Sequence, residues 1–186
     1  SFGFNFKNVS QQAGISGPVE SFPTWFFDYN NDGFDDIFVS SFSMKSYNNL
    51  SAEYAKEMLK MKYGTETPVL YKNNGDGTFK VVALPIEAQT APIHAIVIED
   101  FDGDGLKDVF LGGNQYRVKP EAGRYDASYG VLLHKKNGIL EAVPMQKSGL
   151  FIKGEVRDAK PILKNGKTTL LIAKNDMPLQ LFEFKG

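Results

Sequence analysis

The stretch Asp100-Phe101-Asp102-Gly103-Asp104-Gly105-Leu106-Lys107-Asp108 places a side-chain oxygen at every second position and then a glycine turn. The same design stands earlier, at Asp28-Tyr29-Asn30-Asn31-Asp32-Gly33-Phe34-Asp35-Asp36. Both read D-x-[DN]-x-D-G-x-x-D, with oxygens at positions 1, 3, 5 and 9 and a glycine at position 6. A hard cation such as calcium takes about six to eight oxygens, and glycine lets the chain double back around it. The candidate ligands are Asp28, Asn30, Asp32 and Asp36 in the first loop, and Asp100, Asp102, Asp104 and Asp108 in the second. The backbone carbonyls of Phe34 and Leu106 add a donor at position 7.

Carboxylates this close repel one another, and a bound divalent ion is the simplest way to make such a loop stable. Asp, Gly and Asn also favour plain surface turns. Two copies in register, each followed by an apolar run (Ile37-Phe38-Val39 and Val109-Phe110-Leu111), favour two calcium sites. Other calcium motifs fail on the residues. An EF-hand needs a Glu at position 12 and a helix on each side, whereas Val39 or Leu111 stands there. A dockerin-type loop also wants an acid at that place, and thrombospondin-type repeats bring cysteines, of which the chain has none.

The chain has 186 residues, 42% hydrophobic and 13% aromatic, enough for one packed globular region. A net charge of -1 with no basic run gives no general attraction to nucleic acid or anionic membranes. No apolar run reaches membrane-spanning length, so membrane insertion is not expected. The absence of cysteine excludes a disulfide framework, a Cys-based zinc site and a thiol nucleophile. Modest calcium affinity, with dissociation constants of about 10⁻⁴ to 10⁻³ M in extracellular modules, favours an extracellular, periplasmic or cell-surface location.

The rest of the chain reads as a repeat around these loops. Each unit runs strand, acidic loop, strand: residues 22–27 and 37–42, then 93–98 and 109–112. Third strands are expected at 69–72 and 131–134, and Gly-rich turns at 73–77 and 136–138 lead to the fourth. Near-continuous apolar runs suit strands buried on both faces. Residues 79–82 and 140–143 precede the later units as 6–9 precede the first, so residues 1–21 read as the fourth strand of a preceding unit and its linker. The units are then 22–90, with an insertion at 43–67 that contains a helix over 51–63; 91–149, with a loop insertion at 114–129; and 150–186, incomplete and degenerate. In the last unit the stretch 160–167 stands in the loop position without the acid ladder, and no metal is expected there. With the insertions set aside, each unit spans roughly 40 to 50 residues, the period of a propeller blade.

The two acidic loops with their apolar flanks, the Leu70-Tyr71-Lys72-Asn73-Asn74-Gly75-Asp76-Gly77-Thr78-Phe79 turn, and Phe6-Lys7-Asn8-Val9 with Ala13-Gly14-Ile15 resemble the FG-GAP or VCBS repeats of integrin α-chain-like propellers. The form is that of bacterial secreted and surface proteins. The resemblance implies an all-β fold of four-stranded propeller blades with structural calcium between the first and second strands. Its members serve mostly in recognition and adhesion, and some relatives bind or process sugars. Two full blades and part of a third do not close a ring, so further blades of a longer chain, or self-association, are expected.

Function is expected to be recognition of a protein or glycan rather than catalysis. The insertion at 114–129 mixes aromatic and charged residues, and Tyr116, Arg117, Arg124, Tyr125 and Tyr129 are the candidate contacts. The alternative is a polysaccharide lyase or sugar dehydratase on the same scaffold. His94 reads as a satisfied core residue and His134 as a solvated one, and no nucleophile or metalloprotease motif is present.

Overall fold

The computed structural model describes residues 3, 5–42, 66–118, 120, 123–136, 138–164 and 166–184, which form an all-β structure of three antiparallel sheets. The first sheet takes β1 (Ser21–Phe27), β2 (Asp36–Ser41), β3 (Val69–Asn73) and β4 (Phe79–Val82) in chain order. β5 (Ile93–Glu99), β6 (Asp108–Gly113), β7 (Val131–Lys136) and β8 (Ile139–Ala142) repeat that order in the second. The third has β9 (Val156–Lys164), β10 (Lys167–Lys174) and β11 (Met177–Glu183), with β10 in the middle. The helical elements include a 3-10 turn, Ile86–Gln89, and one α-helical turn, α1 (Met145–Ser148).

The sheets stack, and alternation along each strand decides what faces what. In β6, Val109 and Leu111 join Phe27, Phe38 and Leu70 of the first sheet in one core, while Phe110 turns the other way to meet Leu170 and Ile172 of the third. β7 divides likewise, Leu133 toward the first sheet and Leu132 toward the third. The second sheet is therefore buried on both faces, which is why its strands read as unbroken apolar runs. β5 touches β1 on one side and β9 on the other, so the first strands of the three sheets are neighbours.

Each first strand carries an irregularity near its start. Pairing slips between Ser21 and Thr24, between Ile93 and Ala95, and, on β10, between Ala173 and Lys174, whose partners Asp158 and Val156 skip Arg157. Bulges of this kind bend a strand and re-aim a side chain. Here they single out Phe22, His94 and Arg157, one from each sheet.

Two expectations are corrected. Residues 6–9 form no strand: the segment is irregular, and a turn follows in which Val9 and Ser10 carbonyls accept the Ala13 and Ile15 amides at 2.9 Å. A strand needs a neighbour to satisfy its N–H and C=O groups, and Phe6 instead stands 93% exposed. The segment does reach the first sheet further on, where Phe79 N donates to Ala13 O at 2.8 Å and Tyr71 Oη donates to Gly17 O at 2.6 Å. Second, the expected loop at 160–167 is mostly strand. β9 runs on to Lys164, β10 begins at Lys167, and Gly166 takes φ 77° in the turn between. Without the acid ladder nothing holds the chain out in a wide loop, and Asn-Gly is a tight-hairpin signal. Pro161 is tolerated because β9 is an edge strand. The helix expected at 51–63 lies outside the described residues.

Phe110 is fully buried between the second and third sheets. Phe110→Ala is expected to lower the unfolding free energy by about 3–5 kcal/mol, against less than about 0.5 kcal/mol for Phe6→Ala, as read from urea midpoints at unchanged slope.

Candidate metal centre

The two acidic loops join β1 to β2 and β5 to β6, and they fold alike. Position 9, Asp36 or Asp108, opens the second strand and is almost wholly buried. Its Oδ2 accepts the amide of position 2, Tyr29 at 3.0 Å or Phe101 at 3.1 Å, which pulls the loop closed over seven residues. Position 1 gathers the turn: Asp28 accepts the amides of Asn30, Asp32 and Gly33, and Asp100 accepts those of Gly103 and Gly105. Position 5 folds onto position 7, with Asp32 accepting from Phe34 N at 3.1 Å and Asp104 from Leu106 N at 2.7 Å. Burial pushes the carboxyls of Asp36 and Asp108 above the ordinary range.

The turn asks for left-handed backbone twice. Gly33 and Gly105 at position 6 take φ of 88° and 84°. Position 4 is equally constrained, with Asn31 at 58° and Gly103 at 79°. The sequence pattern treats position 4 as free, although only Gly, Asn and Asp adopt this conformation readily.

The third strand of each sheet also reaches its loop, with different groups. In the first sheet Asn73 N donates to Asp36 Oδ1 at 2.7 Å, and the Lys72 ammonium donates to Asp32 Oδ2. In the second sheet His134 Nδ1 lies 2.9 Å from Asp108 Oδ1, with Asp102 and Asp104 carboxylates at 3.7 and 3.9 Å from the ring nitrogens. His134 is thus bound into the loop and not solvated; the hydrogen bond to Asp108 holds its pKa above 6.5. Reading the sequence missed both residues, which lie 40 and 26 or more positions from their partners.

The donor set suits a hard cation, because the loop positions supply carboxylate and amide oxygens. Oxygens of Asp100, Asp102 and Asp108 lie within 4.8 Å of one another, as do ligand atoms of Asp102, Asp104 and His134. Calcium held there would neutralise the carboxylates and tie the start of the loop to its end.

The other candidate residues lie at the opposite end of the strands. Gln115 and Tyr125 exchange backbone hydrogen bonds at 2.8 and 2.9 Å and pinch the loop after β6. Arg124 lies over the Tyr116 ring at 5.2 Å, and Tyr125 meets Phe42 edge-on at 5.0 Å. Arg117 pairs with Asp176 of the β10–β11 turn; both are well exposed, so the pair adds little stability. Tyr129 stands apart, stacked on Phe151 at 4.7 Å. His94 is at this end too. It packs edge-on to Phe22 and lies beside Gln115 and the Asn114 backbone, but its Nε2 has no hydrogen-bond partner among the described residues, so it is satisfied only in part. Burial, reinforced by Arg157, holds its pKa below 6.5.

Consecutive antiparallel sheets, two of them opening on the same strand–acidic loop–strand unit, define a β-repeat protein. Residues 58–111 match a family model described as an FG-GAP-like repeat, a span that takes in β3 to β5, the whole second loop and β6 as far as Leu111. The first loop lies outside it. No curated protein matches the chain. Among the described residues no helix is long and apolar enough to cross a membrane.

Gly105 has open space around it, so its cost of substitution is purely that of the backbone. Gly105→Ala is expected to destabilise by about 1–2 kcal/mol in chemical denaturation. For His94, a depressed folded pKa means that its contribution is present above pH 6.5 and is lost as pH falls through the folded value. Between about pH 7 and pH 5 the urea midpoint is expected to fall further in the native chain than in His94→Gln.

Proposed function

We propose that this chain is part of a calcium-stabilised β-propeller that serves in recognition or adhesion, in a secreted or cell-surface protein, with a protein or glycan as ligand. The observation that carries the reading is the pair of matched acidic loops on consecutive sheets, the second gathering Asp100, Asp102 and Asp108 oxygens within 4.8 Å. Asp28, Asn30, Asp32 and Asp36, and Asp100, Asp102, Asp104 and Asp108, would hold the ions. The FG-GAP-like match supports an extracellular or surface setting, where such repeats are typical.

The stacking supports blades. First strands β1, β5 and β9 lie side by side, as strands lining a propeller axis do, and each carries its bulge at the same end. The linker residues Leu84 and Ala88 sit between the first and second sheets, and Leu150 and Ile152 between the second and third. Ile15 packs in the same way on the outer face of the first sheet, the place where a further blade would stack. That blade would come from a longer chain or from another copy.

The two ends divide the work. Acidic loops brace one end, while Tyr116, Arg117, Arg124, Tyr125 and Tyr129 stand on the other, on a loop anchored to rigid strands, where ligand contact is commonest.

A thermal melt in chelator and then in calcium tests the structural half. At a hundredfold excess over the dissociation constant, calcium is expected to add about 2.7 kcal/mol and raise the midpoint by about 5–10 °C, with the rise blunted in Asp104→Ala. A glycan and surface-protein binding screen, with Arg124→Ala and Tyr125→Ala beside the native chain, tests the recognition half. No shift at any calcium concentration would overturn the first, and undiminished binding by the variants would overturn the contact residues.

A further inference from the structure

The acidic loops share a pattern but do not offer a cation the same thing. In the first loop both oxygens of Asp28, Asp32 and Asp36 already hold protein donors. One of these is the Lys72 ammonium on Asp32 Oδ2, which also takes the Asn30 side-chain amide at 2.9 Å. A second ammonium, Lys135 of β7, donates to the Asn30 carbonyl at 3.0 Å. Position 3 of this loop is the neutral Asn30.

The second loop has Asp102 at position 3, and there Asp102 Oδ2 and Asp104 Oδ2 have no donor within hydrogen-bond reach among the described residues. The His134 ring nitrogens lie 3.7 and 3.9 Å from them. Four ligand carboxylates, two of whose oxygens have only the His134 ring opposite them at 3.7 and 3.9 Å, therefore face the three of the first loop, where the Lys72 ammonium is already seated on Asp32.

Register makes the comparison direct. Phe38 pairs with Leu70 and Phe110 with Leu132, so Lys72 and His134 occupy the same place on the third strand of their sheets. Lys72 and Asp32 form this pair at the surface, with 25% and 30% of their side chains exposed, so solvent and salt screen it in part. A divalent ion entering the first loop must displace the ammonium and then bear its repulsion at close range.

We infer that Lys72 is a tethered cation that fills the metal position of the first loop, so that the second loop is the high-affinity calcium site. The inference rests on the calcium reading above. Affinity in oxygen cages follows the charge count of the ligands, and Lys72 subtracts one unit from a set that already lacks one.

Calcium titration of the native chain followed by amide resonances in two-dimensional NMR resolves the loops, with Gly33 reporting on the first and Gly105 on the second. The Gly105 signal is expected to reach its midpoint at a calcium concentration at least about tenfold lower than Gly33, and Lys72→Ala is expected to close that gap. His134→Lys, which places an ammonium at the matching position, is expected to raise the Gly105 midpoint by a similar factor. Equal midpoints in the native chain, or a gap that survives Lys72→Ala, would overturn the inference and leave the calcium reading standing. Resonances that stay put to about 10 mM calcium in the native chain and in Lys72→Ala alike would overturn both.

Discussion

A sheet with apolar side chains on both faces must be covered on both, and the second sheet of this protein is the case on which the others depend. Phe110 and Leu132 cannot reach the core that holds Val109, Leu111 and Leu133, because successive side chains of a strand point to opposite faces. The first sheet supplies one cover and the third the other. Polar groups then fasten the layers where apolar contact ends. Ser40 Oγ donates to Ile93 O at 2.7 Å between the first two sheets, and Asn114 Nδ2 donates to Gly154 O at 3.1 Å between the last two.

The acidic loops inherit their geometry from this stack. Asp36 and Asp108 are buried because they open strands that are themselves buried, and a buried carboxylate demands donors. Backbone amides at Tyr29 and Phe101 meet half of that demand in both loops. The other half comes from the third strand, and here the loops part: an amide from Asn73 in one, an imidazole from His134 in the other. One residue earlier than Asn73, Lys72 adds a positive charge to the first loop. Two loops with one pattern thus have different electrostatic surroundings.

Much of this was legible in the chain. The strands of the first two units fall where apolar runs and Gly-rich turns placed them, since alternation and turn chemistry act over a few residues. Residues 6–9 misled because a strand-like composition forms no strand without a partner edge. The stretch 160–167 misled for the opposite reason: its place in the repeat suggested a loop, while its Asn165-Gly166 pair and the edge position of β9 allowed a plain hairpin. Position 4 of the acidic loops carried a signal that went unread, namely Asn31 and Gly103, both of them residues that tolerate positive φ.

By itself the sequence determined the oxygen ladder, the turns that fold it and the apolar runs that follow, because each depends on spacings of one to nine residues along one backbone. Tertiary structure alone decided which faces of the sheets are covered, that His94 rather than a neighbour is singled out by a bulge, and which side chain meets each acidic loop. Lys72 and His134 read as ordinary strand residues until strand pairing sets them 40 and 26 positions from Asp32 and Asp108 and within bonding distance of them. Register is a property of two strands, and no local pattern in either one states it.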